Sequence, residues 1–353
     1  MTKTEKLIDK INDRADGMLI SSDVNRLYLT DFDYSDGYAL ITKERSYLLT
    51  DFRYVEAAKK EADPSFEIMT IEKNTFSKLF DENNIKRLMF EDTRMSCSEL
   101  EALKTRYPEV EFIPAGSIIE EIREYKSDIE LQYITKAQRI AEKALDELIS
   151  NLDLNMTEKE AAAYLEYLMK KNGADGISFS TIAVSGKASS LPHGVPRNVK
   201  LEKGFFTVDF GAIYKGYHSD MTRTFCIGKA DDEMKKVYRT VLDAQSYAID
   251  AIFSGERNCI AIDKIARDHI YGTGYEGCFG HGLGHGVGLE IHESPRLSPK
   301  EQADKYLTLG DVVTVEPGIY IENKYGVRIE DMVYIGEKAP VNLTLFEKKL
   351  TEI

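Results

Sequence analysis

KGFFTVDFG, residues 203–211, and LGDVVTVEPG, residues 309–318, follow one course: a glycine, an apolar run, Thr-Val, then a carboxylate. Each is followed by a turn and a second acid-bearing segment, YHSDMTRTF at 217–225 and GVRIEDMVYI at 326–335. Short apolar runs rich in valine and phenylalanine predict buried strands. The matched order, with acids at matched places, reads as an internal duplication of a strand–turn–strand unit. Asp209 and Glu316 close the first strand of each unit, and Asp220 and Glu330 sit on the returns. A carboxylate at the end of a buried strand is costly without a cation. Arg223 and Arg328 are candidate partners for plain buried salt bridges. Two hairpins meeting at one point, however, would gather four carboxylates, more than two arginines neutralise while leaving room for chemistry. A pair of divalent cations about 3.5–4 Å apart, bridged by carboxylates, is the usual solution.

One imidazole would complete such a set, and FGHGLGHGVGLEIHE, residues 279–293, is the segment rich enough to supply it. His281 and His285 lie four apart, as on a zinc helix. Gly280, Gly282, Gly284, Gly286 and Gly288 alternate strictly, and each would cost a helix about 1 kcal/mol relative to alanine. No glycine triplet has the GxGxxG offset of a phosphate loop. The segment therefore reads as extended chain whose backbone passes close to a metal centre and a peptide. Spacing alone leaves open which of its three histidines is a ligand. Oxygen-rich ligation with one imidazole suits Mn(II) better than zinc's preferred sulfur and nitrogen sites.

The rest of the 353-residue chain limits the classes of function. A net charge of −14 disfavours nucleic acid and anionic membranes as partners. No apolar run reaches the roughly 20 residues of a membrane span, and MTKTEKLIDKINDRADG lacks the apolar core of a secretory signal. Cys97, Cys226, Cys259 and Cys278 form no CxxC pair and read as free thiols. The expectation is a cytoplasmic protein. ADGMLIS, YALITKERSYLLTD and RLMFE read as strands. Leu7, Ile8 and Ile11, then Arg53 to Ala62 and Ser96 to Tyr107, have helical spacing. This predicts an α/β domain over residues 1–122 and a second domain over 123–353. In the second domain, Ser127 with Glu130 and Thr157 with Glu160 predict capping boxes opening two helices. Strands and turns follow from residue 176, with further helices near 232–252 and 259–270.

VDFGAIYKGYHSDMTRTF, GHGLGHGVGLEIHE, VEPGIY and VRIED together resemble the motif set of the prolidase and aminopeptidase P branch of the pita-bread metallopeptidases. SSLPHG at 189–194 fits an upstream motif, and NRLYLTDFDYSDGYALITKERSYLLTDFRY at 25–54 resembles the branch's amino-terminal domain. The resemblance implies an α/β (α+β) chain, with a creatinase-like amino-terminal domain and a pita-bread catalytic domain of pseudo-twofold internal repeat. It further implies two divalent metal ions per subunit, Mn(II) with Co(II) or Zn(II) as alternatives, held by Asp209, Asp220, His285, Glu316 and Glu330. In this carry-over Glu316 is also the general base. His193, His281 and His292 correspond to non-ligand histidines that position substrate and stabilise the tetrahedral intermediate. Arg328 is a partner of a ligand carboxylate. His218 and His269 match no motif position and read as structural. Phe205 replaces an acidic residue common in the family, and Asp31 replaces a usual glycine.

The branch cleaves the bond between an amino-terminal residue and proline, a tertiary amide that ordinary peptidases handle poorly. HESPR at 292–296 resembles the prolidase form of its motif, and Arg296 is suited to bidentate capture of a free carboxylate. The reading favours an Xaa-Pro dipeptidase on proline-containing dipeptides, acting as a homodimer. The alternatives are an Xaa-Pro aminopeptidase acting on longer peptides, a non-catalytic pita-bread binding module, and methionine aminopeptidase. The last shares the five ligands but usually lacks the large amino-terminal domain.

Overall fold

A computed structural model describes residues 1–353, which divide into two compact units, Met1–Arg123 and Glu124–Ile353. In the first, a six-stranded sheet runs in the order Phe66–Thr70, Ser46–Thr50, Gly37–Thr42, Gly17–Ile20, Arg87–Phe90, Glu111–Pro114. Its middle pairings are antiparallel and its outer ones parallel. Leu19, Leu40, Leu49 and Leu88 are fully buried, as central strands with both faces covered require. Helix Lys3–Ile11 buries Leu7 and Ile11, and helices Phe52–Glu61 and Cys97–Arg106 fall where their spacing places them. Helix Asp23–Thr30 ends at Asp31, which has φ +52° and lies 2.6 Å from Lys3 Nζ. That left-handed conformation is the physical reason a glycine suits the position.

The second unit is built twice over. The strand Gly204–Phe210 lies between Ile182–Ser185 and Met221–Ile227 in an antiparallel sheet. Phe206, Val208 and Phe210 face the helices Asp128–Ser150 and Glu158–Lys171, whose buried Ala141, Leu145, Leu148 and Leu165 complete that core. The strand Val312–Val315 lies between Gly284–Gly286 and Asp331–Ile335 in a five-stranded sheet. Val313 and Val315 pack in one cluster with Val237, Val241, Ile262 and Ala266 of helices Asp232–Phe253 and Cys259–Gly272. Each repeat is thus an amphipathic helix pair burying the apolar alternation of a strand pair.

Both predicted capping devices are present. Thr157 and Glu160 exchange bonds at 2.7 and 3.2 Å. Ser127 donates both its N–H and its Oγ to Glu130 Oε2, whose other oxygen accepts from the Tyr217 hydroxyl. Phe205 packs edge-on against Tyr325 with centroids 5.2 Å apart, so its apolar character belongs to the core. All four cysteines are free thiols. No helix is long and apolar enough to cross a membrane.

Candidate metal centre and active site

The two strand pairs bring their carboxylates to one cavity of about 690 Å³. Asp209 lies in strand Gly204–Phe210, and Asp220 immediately precedes Met221–Ile227. Glu316 follows Val312–Val315, and Glu330 sits between Tyr325–Arg328 and Asp331–Ile335. His285 is the middle residue of Gly284–Gly286. All five line the cavity, and so do His193, His281, His292, Arg296 and Arg328.

The alternating glycines have a steric basis. A Cβ on Gly284 would lie 1.9 Å from Thr314 O, and one on Gly286 would lie 2.2 Å from Ser294 O. These glycines let His285 be threaded between two neighbouring strands, and Gly284 also lines the cavity. Gly280 meets nothing within 4 Å.

His285 Nδ1 is 3.1 Å from Gly286 O, which engages Nδ1 as a donor and turns Nε2 toward the carboxylates. That Nε2 is 3.3 Å from Glu316 Oε1 and 3.6 Å from Asp220 Oδ2. Donor atoms of Asp220, His285 and Glu330 all lie within 4.8 Å of one another. Burial, then repulsion from Glu330 and its neighbours, pushes Asp220 well above the ordinary carboxylate range. Burial, then Glu316 and Asp209, does the same to Glu330. Burial also raises Asp209. At Glu316 burial acts in the same direction, but His285, His281 and Arg328 more than offset it and hold the group at about 2.

Arg328 is the one buried arginine or lysine that faces this set directly. Arg328 Nη2 is 2.6 Å from Asp209 Oδ2, while Asp209 Oδ1 is buried with no hydrogen-bond partner. Arg223 faces away from the cavity and pairs with Asp331 at 2.8 Å. Four clustered carboxylates, one orphaned carboxylate oxygen and an imidazole Nε2 aimed among them fit divalent cations, as oxygen-rich ligation demands.

Several side chains that the motifs did not single out tie the set together. Thr222 Oγ1 donates to Glu330 Oε2 at 2.7 Å and accepts from Arg328 Nε at 3.1 Å. Thr314 Oγ1 accepts from His285 N–H at 3.1 Å and lies 3.3 Å from Glu316 Oε1. The Tyr320 hydroxyl accepts from Arg328 Nη1 at 2.7 Å and lies 3.0 Å from His281 Nε2. With Nδ1 of His281 on Gly282 O at 2.8 Å, both ring nitrogens of that histidine are engaged within the protein. A bond from His281 Nε2 to substrate would have to replace the one to Tyr320. His193 and His292 are exposed, and the His292 ring stands edge-on to His285 with centroids 4.4 Å apart. His218 and His269 do not line the cavity.

Residues 132–337 match the family model described as metallopeptidase family M24, and residues 3–125 match the creatinase/prolidase N-terminal domain.

The chain belongs to metallopeptidase family M24.

Among M24 relatives, the chain is 37% identical over 351 residues to an Xaa-Pro dipeptidase of Pyrococcus horikoshii, covering 99% of this chain and 98% of that one. Its fold is similar to a solved Xaa-Pro dipeptidase from Bacillus anthracis, with TM-score 0.93, 37% identity and 99% of each chain covered. A solved X-Pro aminopeptidase from Thermotoga maritima has TM-score 0.92 and 36% identity, covering 99% of this chain and 100% of that one. The fold is therefore that of the M24 enzymes with a creatinase-type amino-terminal domain, and the protein is a metal-dependent peptidase.

Proposed function

We propose that this M24 enzyme is an Xaa-Pro dipeptidase with two divalent cations held by Asp209, Asp220, His285, Glu316 and Glu330. The observation that carries the dipeptidase reading is the placement of Arg296. It pairs in antiparallel register with His285 and lines the same cavity, so a guanidinium stands one strand away from the ligand histidine. A dipeptide ending in proline carries its free carboxylate next to the scissile bond, and a planar guanidinium binds it through two parallel hydrogen bonds. The dipeptidase relatives of similar length support the same reading.

When bound, the metals would polarise the scissile carbonyl and activate water. The chain's own residues do the rest. Glu316 accepts a proton on its carboxylate and delivers it to the proline nitrogen as the amide breaks. His292 donates to the oxygen of the former carbonyl, and His193 holds the substrate from the cavity mouth. His281 acts through Tyr320, which holds Arg328, and Arg328 in turn orients Asp209. Phe179, Ile182, Val195 and Ile291 line the cavity and provide apolar surface for the proline ring and the first residue. Mn(II), a homodimer and a cytoplasmic setting are parts of this proposal. Metal analysis and light scattering test the first two.

The deciding experiment compares Ala-Pro with Ala-Pro-Ala on Mn(II)-loaded wild type and Arg296→Ala. Wild type is expected to prefer Ala-Pro. The substitution is expected to raise KM for Ala-Pro about tenfold or more, as a charge-assisted hydrogen bond of about 1.5–3 kcal/mol implies, with little effect on Ala-Pro-Ala. Preference for the tripeptide together with a harmless Arg296→Ala would assign aminopeptidase activity instead.

A further inference from the structure

The Glu that follows His292 is not accounted for by metal binding or substrate contact. Glu293 is not among the cavity-lining residues, and its side chain is only 7% exposed. Its Oε2 is 3.1 Å from the ammonium of Lys126, which is itself 2% exposed. Lys126 stands just ahead of the helix Asp128–Ser150, and its own backbone N–H donates to Gly310 O at 3.0 Å. The other Glu293 oxygen accepts the backbone N–H of Glu290 at 3.0 Å. The carboxylate therefore sits inside the turn that returns the chain from Gly286 to strand Glu293–Leu297. Gly288 makes this possible, because a Cβ there would lie 2.5 Å from Glu293 Oε2. The same glycine is bound from both sides, donating to Glu290 O at 3.1 Å and accepting from His218 N–H at 2.8 Å.

A buried ion pair is a poor source of stability in itself, since desolvation offsets most of its attraction. What this one does is geometric. The turn it holds carries His292, and the strand it opens carries Arg296, the two substrate contacts on this side of the cavity. Without the carboxylate the Glu290 N–H loses its acceptor, and the exposed His292 has only its edge contact with His285 to define its place.

We infer that Lys126 and Glu293 are positioning residues: their ion pair clamps the 286–293 turn from within and so sets where His292 and Arg296 meet the substrate. The inference rests on the reading of His292 and Arg296 as substrate contacts. It divides the labour of the His-Glu pair, one residue facing the substrate and the other facing inward to hold the first.

The test uses the full chain loaded with Mn(II). A Lys126→Met/Glu293→Leu double variant removes both charges and leaves neither buried alone. Gly288→Ala keeps both charges but pushes the carboxylate off the turn. Lys126→Arg retains the cation. For the first two variants, metal content is expected to stay at the wild-type level while kcat for Ala-Pro falls about tenfold or more, as small misplacements of contact groups do. Amide hydrogen exchange is expected to quicken at residues 287–293 and nowhere else, and Lys126→Arg is expected to recover most of kcat. Wild-type kcat and wild-type exchange in the double variant and in Gly288→Ala would overturn the inference. A general rise in exchange with loss of metal would also overturn it, as the signature of a merely structural pair. His292→Ala serves as the separate control: if it leaves kcat and KM unchanged, the reading of the substrate contacts fails, while the local exchange still reports on the clamp.

Discussion

Thr222 holds no metal and carries no charge, yet its hydroxyl connects the two halves of the site. It sits across from Asp209 in the strand register, donates to Glu330 and receives Arg328. A ligand carboxylate bonded in this way has one lone pair directed and one oxygen committed, which is how outer partners tune a metal site. Thr222→Val keeps the shape and removes the hydroxyl. It is expected to weaken Mn(II) binding about 10- to 100-fold, as titration calorimetry on the metal-free protein would measure, with little change in the far-UV spectrum. Unchanged affinity would mean that the Thr222 hydroxyl is not needed to orient Glu330. Residues of this kind are hard to read from sequence. MTRTF shows two threonines in a β-rich run, which propensity explains without any site. Only the pairing Thr222↔Asp209 and the approach of Glu330 from the other repeat give the hydroxyl its role.

At the scale of elements, Glu158 shows how a helix start supports the active-site wall. It is the first residue of helix Glu158–Lys171, and its carboxylate is fully buried. It accepts Ser185 N–H at 2.8 Å, Arg197 N–H at 2.9 Å, and the Arg197 guanidinium at 2.6 and 2.9 Å. The loop bearing His193 lies between those two partners in the chain. Burial alone would raise Glu158, but Arg197 and the backbone N–H groups more than offset it and hold it below the ordinary carboxylate range. A lowered acid adds stability above its unfolded value of about 4.3 and loses it as pH falls through the folded value. Glu158→Gln is therefore expected to lower stability at pH 7 by about 1–3 kcal/mol. The gap to wild type should close below pH of about 4 in parallel unfolding experiments. A gap independent of pH would assign the effect to packing. The helix itself was legible from Thr157 and Glu160, since a capping box is a local device. The destination of the Glu158 side chain was not local and could not be read there.

Across the whole catalytic unit, four carboxylates, Asp220 and Glu330 buried and Asp209 and Glu316 partly so, converge with one arginine directly facing them. The outer side of the same strands is held by fully buried Arg223. It bonds Glu330 O at 2.6 Å, Asp331 at 2.8 Å and the carbonyls of Glu347 and Phe346 at 3.1 and 2.8 Å. Arg223 thus anchors the backbone at Glu330 from outside the cavity and leaves the charge of the acids to be met by cations. Removing metal with a chelator is expected to lower the melting temperature of this unit, and Mn(II) is expected to restore it. Metal at a hundred times its dissociation constant adds about 2.7 kcal/mol. A melting temperature indifferent to chelation would count against the five-residue site.

Sequence alone determined the features that are local or repeated. The two Thr-Val-carboxylate runs announced duplicated strand pairs, helical spacing and capping marked the helices, and four acids in matched places called for cations. The motif resemblance named the family. Tertiary structure decided what depends on juxtaposition. It showed that His281 is spent on Tyr320 and Gly282, that Gly284 and Gly286 yield to neighbouring strands, and that Arg328 takes Asp209 while Arg223 turns to Asp331. It also turned the Glu of the His-Glu pair inward onto Lys126, 167 residues away in the chain. The physical reason is one of range. Periodicity and caps report interactions within a few residues, whereas the partner of a buried charge is whichever group the packing of distant strands brings within about 3 Å of it.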